Sequence, residues 1–128
     1  MREMLYLAIA GALGALSRYG LSGLSYRVLG DRFAWGTLVV NVLGSFLIGL
    51  IAHVGLSTDV LPPAYRTAVT VGFLGALTTF STFSYETMGY LEDGDWRAAL
   101  LNIGANVIVC LLAVAVGMAL GRFLTGGG

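Results

Sequence analysis

Four apolar stretches, each of about 20 residues or more and so long enough to cross a bilayer, occupy nearly all of this chain. They run roughly from Met4 to Leu24, Phe33 to Leu56, Thr67 to Tyr90 and Ala98 to Leu124. Within hydrocarbon every backbone N–H and C=O must be satisfied by the protein itself, so continuous apolar runs of this length are read as helices. With 57% hydrophobic and 11% charged residues, the composition lies outside the soluble range. The expectation is an all-α integral membrane protein, with residues 1–128 forming a single transmembrane domain of four helices. Arg2 ahead of the first stretch gives it a signal-peptide look. It is too long for one, however, and continues into a polar turn and another span, so it is read as the first helix. The single cysteine, Cys110, lies inside the fourth stretch, where it forms no internal disulfide and serves as a small hydrophobe. Zero net charge gives no basis for a nucleic-acid partner.

The third stretch departs from the pattern. It contains GFLGALTTFSTFSYE, Gly72 to Glu86, in which five of the seven positions from Thr78 to Ser84 are hydroxyl residues. Phe80 and Phe83 stand three apart among them and share a face if the segment is helical. Adjacent threonines lower helix propensity, and their hydroxyls compete for backbone groups, so a mid-membrane break is expected near Thr78 and Thr79.

Other polar residues lie at membrane depth. Asn41 sits within GTLVVNVLGSFLIG, where an unpaired amide is costly, so it needs a partner. It is either glue between helices or a donor to a permeating species. Arg18 either snorkels to the interface or makes an electropositive vestibule that concentrates anions. In the fourth stretch Asn102, Asn106 and Cys110 recur at steps of four and form a polar track on one face. Ala113, Gly117 and Gly121 repeat the step as a ladder for close helix packing, and Ala8, Gly11, Gly14 and Ala15 offer the same on the first span. His53 has no ligand-like companions and is read as structural or interfacial. No nucleophile stands beside a base, and no phosphate loop or metal-ligand cluster is present, so enzymatic chemistry is not expected.

All seven cations are arginine. With four spans, Arg2, Arg66 and Arg122 fall on one side of the membrane and Arg27, Arg32 and Arg97 on the other. That balance sets no preferred orientation. A small chain with buried polar stripes on three spans also needs a partner to cover them. An antiparallel, dual-topology homodimer with its two-fold axis in the membrane plane answers both requirements.

GALGALSRYG at Gly11 to Gly20, GTLVVNVLGSFLIG at Gly36 to Gly49 and GFLGALTTFSTFSYE resemble the signature segments of the Fluc fluoride channels, the CrcB family. The resemblance covers essentially the whole chain. It implies four-helix subunits paired antiparallel in a microbial inner or plasma membrane, with two pores that passively export fluoride and so protect the cell from it. It also implies that Asn41, Phe80 and Phe83 line the pore, with Ser81 and Thr82 at the helix break. A structural sodium ion at the dimer interface would be held by the backbone carbonyls of Gly75 and Thr78. Asn102, Asn106 and Cys110 are matched to the family's polar track by spacing alone, with amides and a thiol where the family's track is rich in hydroxyls. The chemistry of the residues agrees, because hydroxyl and amide donors replace the water around a small, strongly hydrated anion, and aromatic ring edges carry the positive part of the quadrupole. The alternative is a small dual-topology exporter of lipophilic cations. That mechanism needs an intramembrane carboxylate, whereas Glu3 and Glu86 lie toward span ends.

Overall fold

The computed structural model describes residues 1–127 and contains four long, apolar helical spans: Arg2–Leu29, Trp35–Ser57, Pro63–Glu92 and Trp96–Leu124. The first runs past its apolar stretch to Leu29 and stops where Gly30 takes a φ of 89°, a left-handed value that glycine adopts without strain. Pro63 opens the third span at a first-turn position where its missing N–H costs nothing. Asp95 caps the fourth by accepting the Ala98 N–H at 3.0 Å.

Two seams without large side chains hold the spans together. The second and fourth spans make the broadest contact. There a Cβ placed on Gly117 would lie 2.2 Å from the Phe46 carbonyl oxygen, and one on Gly49 would lie 2.4 Å from that of Val114. The first span packs on the beginning of the third in the same way, with Gly14 against the Phe73 carbonyl. Close backbone approach of this kind replaces the hydrophobic drive that helices lack in lipid. Gly121 meets His53, whose ring also hydrogen-bonds Ser57 Oγ at 3.4 Å.

The third span is bent at its middle. Its first part comprises Pro63–Thr67, a π-helical segment Ala68–Leu74 and the short turn Gly75–Leu77. Thr78 and Thr79 are extended, with ψ of 156° and 113°, and a new helix runs from Phe80 to Glu92. The fourth span carries a second π segment, Ala105–Val109. Such wide turns disturb the regular ladder and often adjoin functional sites. Both lie beside the break, and hydropathy gave no sign of either. The small apolar core of Val40, Leu74 and Leu77 sits where the second span meets the first half of the third. Large apolar side chains such as Leu13, Leu16, Leu111 and Leu112 project outward, as lipid-facing residues do.

Candidate functional site

A cavity of about 370 Å³ lies at the break. Its wall includes Asn41, Phe80, Phe83 and Asn106 from the expected pore residues, together with Gly75 and Thr78. Ser45, Thr79 and Cys110 also line it. Residues 80 and 83 are about 300° apart around a helix and so nearly aligned, whereas Ser81 and Thr82 are turned away by about 100° and 200°. Both are exposed and stand off the cavity wall. Asn102 is fully buried behind Asn106, and Arg18 is half-buried on the first span, away from the cavity.

Thr79 organises the local backbone. Its Oγ1 accepts the Thr82 N–H at 3.2 Å and so caps the second half-helix. The Asn41 amide clasps the break from across the bundle. Its Oδ1 accepts the Thr79 N–H at 2.7 Å, and its Nδ2 donates to the Thr79 carbonyl at 3.2 Å and to Asn106 Oδ1 at 3.0 Å. The partner that Asn41 needs is therefore both backbone and side chain. Asn106 Nδ2 in turn donates to Asn102 Oδ1 at 3.0 Å, and Asn102 Nδ2 donates to Thr87 Oγ1 at 3.0 Å. The polar track thus becomes a hydrogen-bonded file past Phe83.

The two phenylalanines differ in burial. Phe83 is 9% exposed and Phe80 79% exposed, with ring centroids 5.4 Å apart and planes inclined at 55°. Tilted rings present edge as well as face to a neighbouring group.

Glu86 was not among the site residues expected from the sequence. It lies about 9 Å inside the end of its helix at 1.5 Å per residue. One carboxylate oxygen accepts the hydroxyl of buried Thr37, and Oε2 is buried with no hydrogen-bond partner. A second cavity of about 240 Å³ reaches it between Tyr26, Phe33 and Tyr90. The signal was present in the spacing: Thr37 precedes Asn41 by four and Glu86 follows Phe83 by three, so each pair shares a helix face.

Residues 5–118 match the family described as CrcB-like protein, Camphor Resistance (CrcB). The chain belongs to the CrcB family. A protein named Fluoride-specific ion channel FluC from a Geobacter species is 48% identical over 124 residues, spanning 97% of this chain and 100% of that protein. Relatives of the same name occur in Dehalococcoides mccartyi, 50% identical over 97% of this chain and 95% of theirs, and in Pelobacter propionicus, 47% identical over 100% and 99%. The three segments that carried the resemblance all fall within the CrcB match. Membership in CrcB, and not the position of Glu86, is what sets the cation-exporter alternative aside, because Glu86 is itself a half-buried carboxylate within a span.

Proposed function

We propose that this CrcB protein is a fluoride-selective channel that lets fluoride leave the cell passively. The observation that carries the reading is the cavity at the helix break, where amides and phenyl rings meet and, among the described residues, no carboxylate lines the wall. Fluoride holds its water tightly, so a path must offer replacement donors, and Asn41 and Asn106 place amides at the wall whose N–H groups, bonded to Thr79, Asn106 and Asn102, would have to turn to the ion. Phe80 and Phe83 line the same path and turn positive ring edges to the ion. Ser81 and Thr82 belong to the path's extension beyond the cavity, Asn102 backs Asn106 from behind the wall, and Arg18 draws anions to the path's mouth. The names carried by relatives of nearly equal length support this assignment.

The working unit we propose is an antiparallel homodimer with two pores in the plasma or inner membrane. Balanced arginines and an uncovered polar face support it. A sodium ion at the subunit interface fits the chemistry of the break. The helical donor for the Gly75 carbonyl, the Thr79 N–H, is taken by Asn41, and that for the Thr78 carbonyl, the Thr82 N–H, by Thr79 Oγ1. Two carbonyls are thereby released for a hard cation, which would supply fixed positive charge beside the anion path.

The test is efflux from liposomes loaded with potassium fluoride or potassium chloride and bearing purified protein. Rapid fluoride release with chloride retained is expected, and equal rates for the two anions would overturn the assignment.

A further inference from the structure

The side-chain file beside the cavity has a direction, and it is set by groups with no freedom to reverse. At one end the Phe83 carbonyl can only accept, so the Thr87 hydroxyl, 2.8 Å away, donates to it. That hydroxyl has a single proton. Toward Asn102, at 3.0 Å, it can therefore only accept, which turns the Asn102 Nδ2 to Thr87 and its Oδ1 to Asn106. Asn106 must then give Nδ2 to Asn102, whose backbone carbonyl takes it as well at 2.9 Å, and offer Oδ1 to Asn41. At the far end the Thr79 N–H can only donate, so it requires Asn41 Oδ1 on its side. Two backbone groups, one at each end, agree on one polarity. Thr87 is 7% exposed and Asn102 0% exposed, so water does not replace either partner.

We propose that Thr87 is a positioning residue for anion passage. It does not line the cavity, but through Asn102 it holds the Asn106 and Asn41 amides of the cavity wall in one orientation, with their N–H groups bonded inward to Asn102, Asn106 and Thr79. With the hydroxyl gone, Asn102 loses the acceptor that orients it. Its amide is free to turn, which sets its Nδ2 against the Asn106 Nδ2 and loosens the Asn106 amide at the cavity wall. This inference rests on the fluoride-channel reading, and the experiment separates the two.

Fluoride and chloride efflux would be measured for wild type, Thr87→Val, Thr87→Ser and Ser25→Ala. Ser25 is a buried hydroxyl that bonds only to the Leu21 carbonyl, a matched control outside the file. Thr87→Val should slow fluoride efflux by about tenfold or more, the lower range for leaving a buried polar group unpartnered. Thr87→Ser and Ser25→Ala should stay near the wild-type rate, because serine restores the hydroxyl. A selective wild type with an unimpaired Thr87→Val, or with Thr87→Ser as slow as Thr87→Val, overturns the positioning role alone. A wild type that does not discriminate the anions overturns the channel reading with it. If Thr87→Val does not assemble, hydrogen exchange of the side-chain amides in the wild type decides. Slow exchange of both Asn106 amide protons is expected, and free exchange overturns the proposal.

Discussion

Asn41→Asp is the sharpest test of the clasp at the helix break, because the change is nearly isosteric yet reverses part of the hydrogen bonding. The carboxylate still accepts the Thr79 N–H but no longer donates to the Thr79 carbonyl or to Asn106 Oδ1. Two acceptors that each had a donor at about 3 Å then face an oxygen. At about 1–3 kcal/mol for each buried polar group left unpaired, the loss is about 2–6 kcal/mol. The effect on a permeating anion is separate. At 4 Å and an effective dielectric of about 20, two like unit charges repel by about 4 kcal/mol, which lowers anion occupancy by about three decades. Fluoride efflux should therefore fall to near background in any protein that still assembles. Asn41→Ser retains one donor and no charge, so it should lose stability but keep more flux than Asn41→Asp. The assay is liposome efflux, with size exclusion before and after reconstitution. Wild-type flux from a correctly assembled Asn41→Asp protein would show that this amide faces a helix seam and not the ion.

Phe80→Ile and Phe83→Ile should each reduce fluoride efflux in an assembled protein, since they remove the ring edge while staying apolar, and Phe→Met at each site controls for β-branching; unchanged rates in all four would leave the rings a packing role only. Gly117→Ala should destabilise by about 1–3 kcal/mol because the added carbon meets the rigid Phe46 carbonyl, whereas Gly104→Ala, which meets nothing within 4 Å, should not; thermal unfolding in detergent compares them. Adding two or three lysines to one terminus should impose a single orientation and abolish flux, and coexpressing oppositely biased versions should restore it. Full activity from one biased version alone would refute the antiparallel pair.

The four spans and the broken third helix were legible because long apolar runs and adjacent threonines act locally, through solvation and backbone competition. Which groups close the break was not legible. Asn41 announces by its depth that it needs a partner, but the partner is the backbone of a residue 38 positions away. The Thr37 and Glu86 contact depends on the mutual rotation of two helices, which hydropathy does not report. Both phenylalanines were expected on one face, and they are, yet one is nearly covered and the other bare, a difference that arises from the neighbouring spans. The hydroxyl cluster also suggested a uniform polar lining. Because the chain resumes its helix at Phe80, the cluster instead splits into capping residues and outward-turned ones.

The single chain leaves one side of the helix break uncovered. Gly75 is exposed, Phe80 is 79% exposed beside it, and the carbonyls of Gly75 and Thr78 have had their helical donors drawn away by Asn41 and Thr79. Hydrocarbon offers such carbonyls nothing, and each left bare in lipid costs several kcal/mol, so irregular backbone at this depth persists only where protein, water or an ion meets it. Asn41 therefore has two linked effects: in satisfying the Thr79 N–H it creates the need at Gly75. A second copy of the chain laid antiparallel on this face would bring its own pair of released carbonyls to the first, making a ring of acceptors around one cation while covering Phe80. On the proposed dimer, the same amide that lines the anion path would also prepare the cation site. Replacing Asn41 should accordingly weaken sodium binding as well as fluoride passage, through the return of the Thr79 N–H to Gly75.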